Sequence, residues 1–253
     1  MANILSYRIG YADRPQLPLD RIAGLGIKWV EIDLAEGQAA CEALRLLEPH
    51  GLRVATLTMF LNLADDGLIE QVTAAAANGQ ALGAMGLLAV THSGGAPLAT
   101  CHALLRQTCD IAASRGLWVA IETHPDLCEN GAKAAAILAA VNHPAFGWNL
   151  DTANIYYYNH GTDTVTEARQ AASQVLGVHA KDTDGGFESA RFPNLGEGVV
   201  DFAGVGAVLR EAGFTGPYTL ELEGIAGAAD SVERMEANVA ACADHLRSLG
   251  LVD

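Results

Sequence analysis

The sequence predicts an α/β fold, a single closed (β/α)8 barrel over residues 1–253, and three observations carry that expectation. Eight short apolar runs alternate with stretches of helical period along the whole chain, the order that builds a parallel sheet covered by helices. No glycine-rich phosphate loop follows an early run, as it usually does in a doubly wound open sheet, and no Pro/Ser-rich linker marks off a second domain. The chain of 253 residues, 50% of them hydrophobic, is long enough to bury the core of one such barrel.

In chain order, the first strand is expected over 4–9 (ILSYRI), with a short helical connection near 19–23. A second strand over 28–34 leads to a helix marked by Glu42, Leu44, Leu46 and Leu47, closed by Gly51. The third strand, 53–59, precedes an Ala-rich helix over 71–82. The fourth, 87–92, precedes a helix over 98–114 that ends at Gly116. Strands over 117–122 and 147–150 flank a helix over 132–141, and a helix over 164–175 ends at Gly177 before the seventh strand, 178–181. A helix over 203–211, with Asp201 as its N-cap and Gly213 beyond its end, leads to the eighth strand, 218–222; Asp230 caps the last helix, 231–249.

Composition excludes several classes. A formal charge of −15 with no cluster of Lys and Arg opposes a phosphate backbone, so no nucleic-acid partner is expected. No apolar stretch reaches about 18 uninterrupted residues and no leader pattern opens the chain, which reads as cytoplasmic with no membrane partner. Cys41, Cys101, Cys109, Cys128 and Cys242 are odd in number, widely spaced and free of a CxxC pair, which predicts buried, reduced thiols.

The chemistry gathers at four late strand ends: VAIETH places Glu122 there, GWNLDT Asp151, GVHAKD His179 and YTLELEG Glu221. Barrel active sites lie at the C-terminal rim of the strands, so these residues are ligand candidates by position. Singly, each has a plainer explanation. Glu122 can be a rim carboxylate paired with a lysine, Asp151 a helix cap, His179 a satisfied core histidine, and Glu221 a charge at a strand end. Four such accidents in succession are improbable. Three carboxylates and an imidazole form an oxygen-rich site for a divalent metal, Mn²⁺ or Mg²⁺ first, with Co²⁺ or Zn²⁺ as substitutes. Such an ion polarises a sugar carbonyl and acidifies the neighbouring C–H, opening an enediolate to a carboxylate base. Return of the proton to the same carbon epimerises the sugar, and return to its neighbour isomerises it.

The series IETHP, LDTAN, HAKD, LGEGVVDF and GPYTLELEG resembles the xylose isomerase-like barrels of sugar isomerases and epimerases, in order along the chain and most closely from Glu122 onward. Within that superfamily the resemblance is to ketose 3-epimerases. It implies Mn²⁺ held by Glu122, Asp151, His179 and Glu221, with Glu122 and Glu221 also catalytic as the acid/base pair. It further implies a homo-oligomer, dimer or tetramer, acting on a small carbohydrate or polyol-derived substrate. Where many members carry a histidine three residues after the aspartate, this chain has Asn154, which can hydrogen-bond a hydroxyl but cannot shuttle a proton.

Around this core, His92, His124, Asn154, Lys181 and Arg191 are expected to bind substrate, and Glu31 can meet a hydroxyl. Tyr156, Tyr157 and Tyr158 can wall a sugar face or pack between subunits. Gly196 and Gly198 permit close approach of LGEGVVDF to the rim. A lyase or dehydratase, expelling a β-leaving group after the same proton abstraction, is the rival reading. Less favoured are a non-catalytic sugar-binding subunit, a phosphodiester hydrolase, and a Schiff-base aldolase through Lys181, whose amine nearby carboxylates would keep protonated.

Overall fold

A computed structural model describes residues 3–9, 17–33, 40–228 and 230–253. Strands β1 (Ile4–Arg8), β2 (Trp29–Ile32), β3 (Arg53–Asn62), β4 (Gly86–His92), β5 (Trp118–Glu122), β6 (Phe146–Asp151), β7 (Val175–Ala180) and β8 (Pro217–Leu220) pair in sequence order. All pairings are parallel, and β1 pairs with β8, which closes the barrel. Around it lie α1 (Leu19–Gly24), α2 (Ala40–Leu47), α3 (Leu68–Leu82), α4 (Leu98–Ala113), α5 (Gly131–Val141), α6 (Asn154–Tyr158), α7 (Thr164–Ala171), α8 (Phe202–Glu211), α9 (Gly224–Gly227) and α10 (Val232–Ser248).

The main core is the shell between strands and helices. Leu57, Leu87, Val119, Ile121, Trp148, Leu150 and Val178 meet Leu105, Leu138, Ala168, Leu209 and Leu246 there. Each fully buried leucine contributes roughly 1.5–3 kcal/mol relative to exposure. Strand side chains alternate, and the opposite faces carry Ser6 and Arg8, Glu31, Thr56 and Thr58, Asn149 and Asp151, His179, and Thr219, all buried. The barrel's own interior is therefore largely polar.

Local sequence sets the helix boundaries. Asn130, Asp163, Asp201 and Ser231 each accept a backbone N–H of the first turn of α5, α7, α8 and α10. The cap of α10 is thus Ser231 and not Asp230. Gly51, Gly116 and Gly213 adopt the left-handed conformation expected of them. Gly177 does not: it lies inside β7, because the helix before it stops at Ala171, passes through a 3-10 turn and gives way to strand at Val175. A Cβ at Gly177 would lie 2.6 Å from Asn149 Oδ1, so the position needs a small residue for packing, not for a turn. The strand expected over 53–59 runs on to Asn62, and the end of the strand expected over 28–34 falls on Leu34, outside the described residues. Four of the cysteines are buried as expected; Cys41 is exposed, on the solvent side of α2. Among the described residues no helix is long and apolar enough to cross a membrane.

Candidate metal centre

Glu122 and Asp151 end β5 and β6, His179 is the penultimate residue of β7, and Glu221 follows β8 directly. All four are buried, and one ligand atom from each lies within 4.8 Å of the other three. His179 Nδ1 sits 2.9 Å from Glu122 Oε1 and 3.2 Å from Glu221 Oε2. Asp151 presents one oxygen. Its Oδ1 accepts the backbone N–H of Ala153 and Asn154 at 2.9 Å each, while Oδ2 lies 2.8 Å from Lys181 Nζ.

The ends of neighbouring strands are tied together by two hydroxyls. Thr123 Oγ1 receives the Trp148 indole N–H and the Asp151 backbone N–H, both at 3.0 Å, linking β6 to β5. Thr152 Oγ1 donates to the Lys181 carbonyl at 2.6 Å and accepts the Lys181 N–H at 3.0 Å, linking β6 to β7. Asp182 anchors the loop beyond β7 by accepting N–H groups of Gly196, Gly198 and Val200. A Cβ at Gly198 would stand 2.3 Å from Asp182 Oδ1, so the expected close approach of this loop is real.

Carboxylates outnumber permanent cations: Glu31, Glu122, Asp151, Glu221 and Glu223 face Arg8 and Lys181. Burial pushes the Asp151 carboxyl up to about 7 against the pull of the Lys181 ammonium. Burial also works against charge on Lys181, but Asp151, Glu221 and Glu223 outweigh it and hold the ammonium well above its ordinary range. Glu221 is held well below the usual carboxylate range, because His179 and Lys181 overcome the cost of burial. His179 is raised well above an ordinary histidine, since Glu221 and Glu31 overcome its desolvation. Surplus negative charge around converging oxygens and one imidazole is a donor set that fits a divalent cation.

A cavity of about 430 Å³ opens beside these residues, lined in part by Glu122, His124, Asn154, Lys181, Glu221 and Glu223. Of the expected substrate contacts it thus gathers His124, Asn154 and Lys181. His124 Nε2 lies 3.1 Å from the Tyr158 hydroxyl, and burial pushes the imidazole below its ordinary range. Asn154 donates its amide N–H to the Thr123 carbonyl at 3.0 Å. His92 is exposed and stands edge-on to His124, ring centroids 5.7 Å apart, without lining the cavity. Arg191 is exposed and lies 3.5 Å from Asp184; its neighbours Ala190 and Phe192 line the cavity while it faces away. Tyr157 and Tyr158 form part of the wall, whereas Tyr156 packs against the core. Lys181 pairs with the cluster carboxylates and not with Asp182.

Sequence reasoning missed Arg8, and placed Glu31 too near the mouth. Arg8 lines the cavity, and its Nη1 lies 2.6 Å from both Glu31 Oε1 and Thr58 Oγ1. Glu31 is buried behind His179, with Thr56 Oγ1 at 2.6 Å and His179 Nε2 at 3.0 Å. The available signal was the alternation of Ser6 and Arg8 within an apolar strand.

A parallel barrel with a carboxylate–imidazole centre on its rim defines a broad class of α/β proteins. Within it, the family model for the xylose isomerase-like TIM barrel matches residues 19–247, and the chain belongs to that family. It is 30% identical over 156 residues to L-ribulose-5-phosphate 3-epimerase UlaE of Salmonella paratyphi C (strain RKS4594), covering 59% of this chain and 51% of that protein. The chain thus aligns with about half the length of the curated relatives it matches. A xylose isomerase domain protein from Planctomyces limnophilus superposes with a TM-score of 0.81 at 17% identity, covering 98% of each chain. D-allulose 3-epimerase from Methylomonas sp. superposes with a TM-score of 0.76 at 19% identity, again over 98% of each.

Proposed function

We propose that this chain is a divalent-metal-dependent sugar isomerase or epimerase, moving a proton next to a carbonyl through an enediolate. Glu122, Asp151, His179 and Glu221 would hold the ion, with Mn²⁺ the first candidate and Mg²⁺, Co²⁺ or Zn²⁺ as substitutes. The observation that carries this reading is the convergence of four buried donors within 4.8 Å, two of them glutamates from strands separated by β6 and β7. When bound, the ion polarises the substrate carbonyl and raises the acidity of the adjacent C–H.

Glu221, kept ionised by His179 and Lys181, is suited to accept a proton, and Glu122 reaches the same point from β5 to deliver one. Lys181, held charged beside Glu221 and Glu223, offers N–H to the oxygen on which negative charge develops. His124, Asn154 and the Tyr157–Tyr158 wall orient hydroxyls and one apolar face of the sugar. The charge on Lys181 argues against a Schiff base at that amine. A small carbohydrate or polyol-derived substrate, a cytoplasmic location, a dimer or tetramer, and no nucleic-acid or membrane partner complete the proposal. The net charge of −15 supports the exclusion of nucleic acid.

Incubating the Mn²⁺-loaded protein with a panel of ketoses that includes D-allulose, in D₂O, tests the reading by NMR. Deuterium at the carbon beside the carbonyl together with an epimer or aldose is the expected result. No exchange with any ketose overturns the reading, and an unsaturated product assigns the site to a lyase.

A further inference from the structure

His179 is held from both sides. Its Nδ1 faces the ligand cluster, 2.9 Å from Glu122 Oε1, and its Nε2 faces Glu31 Oε1 at 3.0 Å. Glu31 comes from β2 and His179 from β7, which are not neighbours in the sheet, so this contact crosses the barrel's interior. Glu31 is itself immobilised: Oε1 takes the Arg8 guanidinium and Oε2 the Thr56 hydroxyl, each at 2.6 Å, and its exposure is 1%. Arg8 is anchored in turn by Thr58 at 2.6 Å and reaches to 3.6 Å from Glu221 Oε1.

Only one ring nitrogen can serve an ion and the Nδ1 side is where the other three donors stand. The remaining nitrogen must then carry the proton, and a buried N–H needs an acceptor. We propose that Glu31, clamped by Arg8 and Thr56, is a positioning residue that accepts the Nε2–H of His179. It thereby fixes the ring orientation in which Nδ1 meets the ion. This role goes to residues of the first three strands, none of which belongs to the donor set, and it rests on the metal reading above.

Fixing the ring in advance raises the basicity of Nδ1 and removes a rotational freedom that the ion would otherwise have to freeze. The gain should appear in ion affinity before any chemistry. Loss of an orienting partner of this kind costs about 10- to 100-fold in affinity. Glu31→Gln keeps an oxygen able to accept Nε2–H but loses the charge, so its loss should be smaller than that of Glu31→Leu.

The test is calorimetric titration of metal-free protein with Mn²⁺, joined to ¹⁵N–¹H correlation of histidine-labelled protein loaded with diamagnetic Zn²⁺. Glu31→Leu takes the 2.6 Å carboxylate away from buried Arg8, which keeps Thr58 and Glu221, and can fail to fold. The double variant Arg8→Met/Glu31→Leu removes both charges together and leaves the net charge of the site unchanged, so a loss of affinity in it is not a loss of net negative charge. The expected results are an affinity loss of about 10- to 100-fold in the double variant, a smaller loss in Glu31→Gln, and a wild-type His179 with its proton on Nε2. Wild-type affinity in a folded double variant, or a loaded wild-type ring protonated on Nδ1, overturns the proposal while leaving the metal reading intact. A wild-type chain that takes up no ion overturns both.

Discussion

The two halves of the barrel meet at one point with different equipment. From β5 to β8 the strand ends present Glu122, Asp151, His179 and Glu221, the atoms that converge. From β1 to β3 come Arg8, Glu31, Thr56 and Thr58, which touch one another and then His179 from behind. One half brings the four-residue cluster together, and the other packs against His179 and Glu221 from across the lumen. Closing the sheet brings facing strands within side-chain reach of the axis, so β2 can touch the end of β7 in this barrel. The difference separates what each half should show when altered, turnover on the one side and stability or ion affinity on the other.

The largest effect is expected on the donor side. Glu221→Gln should lower turnover by about 10²–10⁴-fold, as loss of a proton-transfer group does, measured as ketose epimerisation with Mn²⁺ at saturation. Full turnover in that variant with ion retained would dissolve the division of labour. On the holding side, Arg8→Met removes the closest cation from buried Glu31, which keeps His179 and the Thr56 hydroxyl, so the cost of losing one hydrogen bond to a charged group, about 1.5–3 kcal/mol, is expected in chemical denaturation of the metal-free protein. A change below about 0.5 kcal/mol would mean that water already solvates the pair.

A smaller effect joins the halves through pH. The His179 ring is raised well above its ordinary value, and the Asp151 carboxyl is pushed up to about 7, so both carry protons below their folded values. An ion must displace them, and its apparent affinity should fall by about tenfold per pH unit per proton displaced as the pH drops. Mn²⁺ titrations at several pH values check the sign: tighter at high pH, weaker at low pH. The smallest effect belongs to Arg191. It is 72% exposed and turned toward Asp184, so Arg191→Ala should change turnover and KM by no more than about twofold, the scale of an ordinary surface substitution. A larger rise in KM would bring this residue back to the substrate.

How legible these halves were in the sequence follows from their geometry. The half with the cluster announces itself because each of its four residues sits where an apolar run meets a loop, a local pattern that needs no tertiary knowledge. The holding half does not. Glu31 and His179 are 148 residues apart in the chain, and only barrel closure makes them neighbours. Arg191 looked suitable by type and position, but alternation along its segment turns Ala190 and Phe192 to the cavity and the guanidinium away. Gly177 looked like a helix end because glycine signals breaks. In the folded chain it is a strand residue made small by the side chain of Asn149. The eight alternating runs were legible in order and type, while their boundaries moved wherever packing and not propensity decided them.

Trp148 has an optical consequence. Its indole is fully buried and donates to the same Thr123 hydroxyl that receives the backbone N–H of Asp151. Trp29 and Trp118 begin their strands and so stand at the opposite end of the barrel. Near-ultraviolet excitation therefore divides the chain's emission between one fluorophore wired to the cluster and two remote from it. A paramagnetic ion such as Co²⁺ would quench the first while the others serve as an internal standard, so loading could be followed in real time with no added dye.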